Sequence, residues 1–142
     1  MNLSEEIHQI STYVNCVLRK AASKNNITFS QAQFLLCVPS EGASISELSL
    51  SMGIDISTMS RNVDKLELLG LVCKNKCAED RRAIKLLLTD SGAQKANLLF
   101  AEIDAFSTKV LTNIPQELKM GAEDLLEQIN WACIQSHAAQ LL

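Results

Sequence analysis

The residues best suited to recognition chemistry lie between positions 56 and 70, where the spacing predicts a helix. On a helical wheel, the apolar residues Ile56, Met59, Val63 and Leu66 cluster on one side. The opposite side carries Ser57, Thr58, Arg61 and Lys65, with Ser60 and Asn62 at its margins. A helix fits the major groove of DNA, where an arginine can bind guanine through two hydrogen bonds while hydroxyl and ammonium groups engage phosphate oxygens. An ordinary solvated helix face has a similar composition, so this segment alone leaves both interpretations open.

A second group with clear chemistry is the charged run Ala78-Glu79-Asp80-Arg81-Arg82. Asp80 can orient one arginine through a paired hydrogen bond while the other guanidinium stays free. An arginine held out on a narrow ribbon suits the DNA minor groove, whose negative potential is strongest where the groove is narrow. Taken alone, such a run is more often a plain charged turn.

Charge is segregated along the 142-residue chain, although the net charge is only −3. Residues 61–85 hold seven basic and four acidic side chains, whereas residues 89–142 hold three basic and seven acidic ones. The net charge argues against a basic coat protein, so any nucleic-acid binding must come from a local patch. This segregation is typical of a DNA-reading module joined to a dimerisation module, but a solvated charged loop would give a similar count.

Length and composition favour one mostly helical globular domain. The chain is 47% hydrophobic and 20% charged, with five Gly and two Pro, which is not the balance of a disordered segment. The first ten residues lack the features of a signal peptide, and no apolar run is long enough to span a membrane. We therefore expect a soluble, cytoplasmic protein that does not bind membranes.

Helix start and stop signals predict a helix-turn-helix in the first half of the chain. Ser44 and Glu47 have the spacing of a capping box, and Gly53 then stops this short helix. Asp55 or Ser57 can cap the next helix, which is the polar-faced one described above. Two helices joined by a tight turn are the layout of a helix-turn-helix.

A β-hairpin and four further helices are predicted around this motif. Residues 71–76 and 83–89 are β-prone and flank the charged run. The other helices begin near Leu3, Thr28, Asp90 and Pro115. The first, over 3–23, carries an apolar seam of Leu3, Ile7, Ile10, Val14, Val17 and Ala21. This seam either packs onto the core of its own domain or contacts a second subunit.

Cysteine and histidine usage gives no sign of an enzyme, a metal site or a cofactor. The five cysteines are Cys16, Cys37, Cys73, Cys77 and Cys133, and four of them sit inside apolar segments. This pattern predicts buried thiols rather than a disulfide framework. The two histidines lie near opposite termini, and no phosphate loop or nucleophile–base pair can be assembled. We therefore expect a non-enzymatic protein.

The succession of segments over residues 45–92 resembles the MarR family of winged-helix regulators. The sequence runs ISELSLSMGIDISTMSRNVDKLELLGLV and then CKNKCAEDRRAIKLLLTDSG. Members of this family have a Leu-Ala-type helix, a Ser/Thr-rich recognition helix ending in LE..GLV, a D-x-R wing and a terminal LT..G in this order. The resemblance implies a mainly α fold with a small β-hairpin, a winged helix-turn-helix flanked by amino- and carboxyl-terminal dimerisation helices.

The resemblance also implies which residues bind DNA. In the recognition helix they are Ser57, Thr58, Ser60, Arg61 and Lys65. In the wing, Asp80 would orient Arg82, Arg82 would enter the minor groove, and Arg81 would be an accessory contact.

The expected function is that of a sequence-specific regulator of transcription that binds double-stranded DNA as a homodimer. The resemblance places the DNA-binding part at about 28–89 and the dimerisation helices at about 1–24 and 90–142. It implies a pseudo-palindromic operator, and a repressor that is released by a small molecule, such as an aromatic acid, or by a redox signal. The alternative is a winged-helix module that binds protein instead of DNA, because the fold does not dictate the partner.

Redox sensing has three candidate thiols, Cys16, Cys73 and Cys77. Peroxide-sensing members of the family carry a reactive cysteine early in the first helix, whereas Cys16 lies only twelve residues before Thr28. Cys16 therefore departs from the family pattern. Cys73 and Cys77 lie in the most basic segment, which favours thiolates, and their oxidation beside the wing would move Arg82.

Overall fold

The computed structural model describes the backbone of residues 2–76 and 84–140. Within these ranges the chain forms six helices and one two-stranded sheet. The elements are α1 Leu3–Lys24, α2 Phe29–Cys37, α3 Ile45–Met52, α4 Ile56–Leu68, β1 Val72–Lys76, β2 Ile84–Leu88, α5 Asp90–Asn113 and α6 Gln116–Gln140. This order confirms the predicted mainly helical, winged-helix architecture.

Local hydrogen bonds fix where α2 and α3 begin. The Thr28 hydroxyl accepts from the Gln31 amide at 3.1 Å, and the Ser44 hydroxyl accepts from the Glu47 amide at 3.1 Å. Glu47 in turn accepts from the Ser44 amide at 2.7 Å, and these bonds lower the pKa of its carboxyl. The predicted capping box of Ser44 and Glu47 is therefore confirmed, and Thr28 and Gln31 form a second one at the predicted start of α2. The turn after α3 passes through Gly53, whose φ of 64° is left-handed and favours glycine.

The core lies under α4 and is built from side chains of every element of the helix-turn-helix. The largest fully buried side chains are Phe34, Leu35, Leu48, Met59, Val63, Leu66, Val72, Leu86 and Leu99. Ile56, which the helical wheel places on the same side as Met59, Val63 and Leu66, is 58% exposed and lies outside the core. Ile56 is the first residue of α4, and the buried stripe of that helix begins only with Met59.

The hairpin is tied to the helices at its base. β1 and β2 are antiparallel, from the pair Val72 and Leu88 to the pair Lys76 and Ile84. The Thr89 hydroxyl donates to the Gly70 carbonyl at 2.6 Å and accepts from the Gly92 amide at 3.0 Å. The first turn of α5 is thereby joined to the end of the helix that precedes β1.

The chain forms two compact units, Met1–Asp104 and Ala105–Leu142. In the first unit the apolar seam of α1 divides, because Ala21 is fully buried whereas Leu3, Ile7 and Ile10 are 68%, 44% and 53% exposed. The second unit by itself also exposes large apolar side chains, namely Leu118, Met120, Leu125, Leu126, Trp131 and Ile134. The end of the seam therefore packs into the core, as one interpretation predicts, whereas its beginning is uncovered in the single chain, and its contact with a second subunit stays a prediction.

The cysteines are more open to solvent than the sequence predicts. Cys16, Cys37 and Cys133 are exposed, and Cys73 is partly buried. The expectation of buried thiols fails on α1 and α6 because the sequence neighbours of Cys16 and Cys133 fall on other faces of these long helices, and it fails for Cys37 at the end of α2. In the described ranges, no helix combines the length and apolar character needed to cross a membrane.

Candidate nucleic-acid interface

Helix α4 presents one buried side and one polar side. Met59, Val63 and Leu66 are fully buried, which fixes the rotation of the helix. On the outer side Ser57, Arg61 and Lys65 are exposed, and Thr58 and Ser60 are partly exposed. The five recognition-helix residues that the sequence predicts to contact DNA thus remain accessible to a ligand.

Asp55 organises the start of this polar side. Its carboxylate accepts from the Thr58 amide at 2.9 Å and caps α4. The same carboxylate accepts from the Ser57 hydroxyl at 2.5 Å and from the Thr58 hydroxyl at 2.6 Å. These hydrogen bonds, first those from the two hydroxyls, hold the pKa of Asp55 far below its ordinary value. The sequence predicts Asp55 only as one of two alternative caps of α4. It does not indicate that the Asp55 carboxylate also accepts hydrogen bonds from both hydroxyls.

Lys74 links the hairpin to the carboxyl-terminal half of α4. Its ammonium lies 3.0 Å from the Asp64 carboxylate and 3.2 Å from that of Glu67. These hydrogen bonds raise the pKa of Lys74. One of the cations counted in the basic segment is therefore neutralised within the protein.

Arg61 and Lys65 are the cations left on the outer side of α4. The Arg61 Nε donates a long hydrogen bond of 3.4 Å to the Ser57 carbonyl, which directs the guanidinium along the helix surface. No carboxylate among the described residues forms an ion pair with either side chain. Arg61 can therefore offer its guanidinium N–H groups, and Lys65 its ammonium, to an acceptor outside the protein.

The remaining predicted site residues fall into two groups, those outside the described residues and two cysteines within them. Asp80, Arg81, Arg82 and Cys77 lie outside the described residues. Cys73 lies on β1 next to Lys74, whereas Cys16 lies on α1. Cys16 and Cys73 therefore lie on different elements of the first unit.

Two open cavities lie in the first unit. One, of about 270 Å³, is lined by Leu18, Gln33, Leu36, Cys37, Met52 and Ile54 and has no cationic lining residue to pair with an acid. The other, of about 440 Å³, has Lys85 beside Glu41 and Glu47 in its lining. In the described ranges no cluster of three His, Cys, Asp or Glu side chains could hold a metal ion.

Comparison with solved structures identifies the fold. MarR from E. coli in its apo form is 21% identical, with a TM-score of 0.76, and the alignment covers 91% of this chain and 96% of MarR. The transcriptional regulator SlyA is 15% identical, with a TM-score of 0.77 and coverage of 97% and 98%. A variant of E. coli MarR in complex with operator DNA is 21% identical, with a TM-score of 0.67 and coverage of 89% and 92%.

Comparison with protein families identifies the same group. Residues 18–84 match the model of the MarR family. This range contains the whole of α2, α3 and α4, together with β1. It also contains every residue that the sequence predicts to contact DNA. Residues 18–84 are therefore similar to the MarR family, and the chain has the fold of the solved MarR and SlyA structures.

Proposed function

We propose that this chain is a sequence-specific regulator of transcription that binds double-stranded DNA with α4 in the major groove. The observation that carries this proposal is the outer side of α4, where Arg61 and Lys65 have no ion-pair partner among the described residues and lie on the same side as accessible hydroxyls. Such a surface on the second helix of a helix-turn-helix suits groove binding. A related fold in complex with operator DNA supports the same assignment.

The residues have different roles in this proposal. Arg61, near the centre of the outer side, reads a base edge, and Lys65 binds a phosphate. Ser57, Thr58 and Ser60 add polar contacts to the DNA. Asp80, Arg81 and Arg82 would supply the wing contacts, a role that rests on the family resemblance alone.

We further propose that the active form is a homodimer. Each compact unit by itself leaves large apolar side chains open to water, which is unfavourable for a stable monomer. A second copy would cover them by two-fold symmetry and place two copies of α4 on a pseudo-palindromic operator. Sedimentation at micromolar concentration should give about twice the chain mass of 15.6 kDa, and a species of 15.6 kDa alone would refute the dimer.

The regulatory part of the proposal is a cytoplasmic repressor that leaves DNA in response to a small molecule or to oxidation. Cys73 is the described thiol closest in sequence to the wing. If oxidation of Cys73 or Cys77 is the signal, peroxide should lower DNA affinity, and Cys73→Ser or Cys77→Ser should abolish that loss. Unchanged affinity after complete oxidation of the thiols would refute redox control.

Selection of bound fragments from a genomic DNA library tests the proposed function directly. The purified chain should enrich fragments that share a two-fold motif with half-sites about one helical turn, roughly 10 bp, apart. Arg61→Ala should weaken this selection because it removes the central cation of α4. Failure to enrich any sequence at low salt would refute DNA recognition and favour the protein-binding alternative.

A further inference from the structure

The hydrogen bonds at the start of α4 fix which groups its hydroxyls can still bind. The Asp55 carboxylate is ionised, since the bonds that it accepts hold its pKa far below the ordinary range. An ionised carboxylate has no proton to give, so Ser57 and Thr58 must be the donors in the contacts of 2.5 and 2.6 Å. Each hydroxyl has one proton, and that proton points to Asp55. Each hydroxyl oxygen can then still accept a hydrogen bond through its lone pairs.

This polarity makes the start of α4 a poor binding site for phosphate. Phosphate oxygens only accept hydrogen bonds, so Ser57 and Thr58 could donate to them only by leaving Asp55. The Asp55 carboxylate also places a negative charge at a helix end that otherwise attracts anions. The groups of DNA that suit free lone pairs are N–H donors, and in the major groove these are the amino groups of adenine N6 and cytosine N4.

The exposed side chain of Ile56 indicates which of these two bases fits the start of α4. It lies between Asp55 and Ser57 in the chain, and 58% of its surface is exposed although the residue is apolar. The apolar group in the major groove is the methyl group of thymine, which belongs to the A·T pair. An exposed isoleucine in the same first turn of α4 as the acceptor hydroxyls therefore matches an A·T pair, which offers a methyl group and an amino donor together.

We propose that Asp55 and Ile56 make the start of α4 a reader of A·T pairs. The hydroxyls of Ser57 and Thr58 accept a hydrogen bond from adenine N6, and Ile56 contacts the thymine methyl group. Asp55 is a positioning residue, because it acts on the DNA only by orienting the two hydroxyls. This inference rests on the proposed DNA binding by α4.

Base analogues in a fragment selected by the wild-type protein test the two contacts separately. Purine in place of adenine removes the N6 amino group, and each half-site that carries this substitution should lower affinity by about 2- to 12-fold. Uracil in place of thymine removes the methyl group and should lower affinity by about fourfold. As a control, 7-deazaadenine removes only the N7 acceptor and should leave affinity unchanged at that position.

Protein variants then assign these effects to residues. Asp55→Asn keeps a good helix cap, but its amide can donate to the hydroxyls and free their protons. The ratio of affinities for adenine and purine should therefore fall towards one. Asp64→Asn is the matched control, because it removes the same charge from the same helix without touching the hydroxyls, and its ratio should stay at the wild-type value. Ile56→Ala should abolish the preference for thymine over uracil and keep the preference for adenine over purine.

The possible failures are distinguishable. If the wild-type protein enriches a fragment but binds purine and uracil variants at every A·T position as well as the original, the inference is wrong while the proposed function stands. The same holds if Asp55→Asn keeps the full adenine preference, because a purely structural cap would give that result. If no fragment is enriched at all, the proposed function itself fails.

Discussion

Removing the charge of Lys65 should change the salt dependence of DNA binding, whereas removing that of Lys74 should not. Both lysines lie in the basic segment, and Lys65→Gln and Lys74→Gln lower the net charge by the same amount. Lys74 is held by two carboxylates at 3.0 and 3.2 Å. Lys65 is exposed on the outer side of α4 and has no ion-pair partner among the described residues. Only Lys65 is therefore free to neutralise a phosphate.

The size of the effect follows from counterion release. Each phosphate contact contributes about 0.9 to the slope of log affinity against log salt, so a dimer with Lys65 on both half-sites should lose about 1.8. Between roughly 50 and 200 mM salt, the affinity of the wild type should therefore fall by a factor about 12 times larger than the factor by which the affinity of Lys65→Gln falls. Lys74→Gln should keep the wild-type slope. The loss of the exposed ion pairs in Lys74→Gln should lower the free energy of unfolding by at most about 1 kcal/mol.

Fluorescence anisotropy of a labelled operator fragment over a series of salt concentrations measures both slopes. Thermal unfolding of each variant, monitored by circular dichroism, checks that differences in affinity do not come from unfolded protein. An equal fall in slope for the two variants would show that net charge, and not the pairing of Lys74, controls binding. A wild-type slope for Lys65→Gln would remove Lys65 from the interface.

Three further predictions concern other parts of the chain. Arg61→Ala should cost roughly 1–3 kcal/mol of binding free energy and relax base preference at one position of each half-site, which a repeated fragment selection would detect. Gly92→Ala should destabilise the fold by about 1–3 kcal/mol or more in urea unfolding, because its Cβ would lie 1.9 Å from the Leu71 carbonyl oxygen. Gly121→Ala is the matched control, since no atom lies within 4 Å of its Cβ, and an equal loss in both variants would contradict the clash. Cys37 and Cys16 are both exposed residues, but partial burial of the thiol raises the pKa of Cys37, so at neutral pH iodoacetamide should label Cys37 more slowly than Cys16, as measured by peptide mass spectrometry; faster labelling of Cys37 would contradict this.

Elements that depend on local interactions could be predicted from the sequence. The capping boxes of α2 and α3 join residues three positions apart, so their spacing alone identifies them. The buried stripe of α4 likewise follows from helical periodicity. These local signals were sufficient to predict the order of the elements and the polar outer side of α4.

Periodicity alone was insufficient at the ends of elements and across long separations. Ile56 falls on the apolar side of the helical wheel, but the helix begins there and the buried stripe starts one turn later. The ion pairs of Lys74 depend on how β1 turns back beside α4, which no helical wheel describes. Charge counting along the sequence therefore overestimated the number of cations available to DNA.

The pairing of charged side chains differs between the start of α4 and its carboxyl-terminal half. Near its start, Ser57 and Arg61 are exposed, and among the described residues the Asp55 carboxylate accepts from the Ser57 hydroxyl. In its carboxyl-terminal half, Asp64 and Glu67 would repel DNA, but Lys74 offsets one of their two negative charges and joins the helix to β1, while Lys65 is exposed. One ion-pair cluster thus joins the helix to the hairpin and lowers the repulsion of DNA expected at the carboxyl-terminal half of α4. This arrangement suits the proposed insertion of the amino-terminal residues of α4 into the major groove.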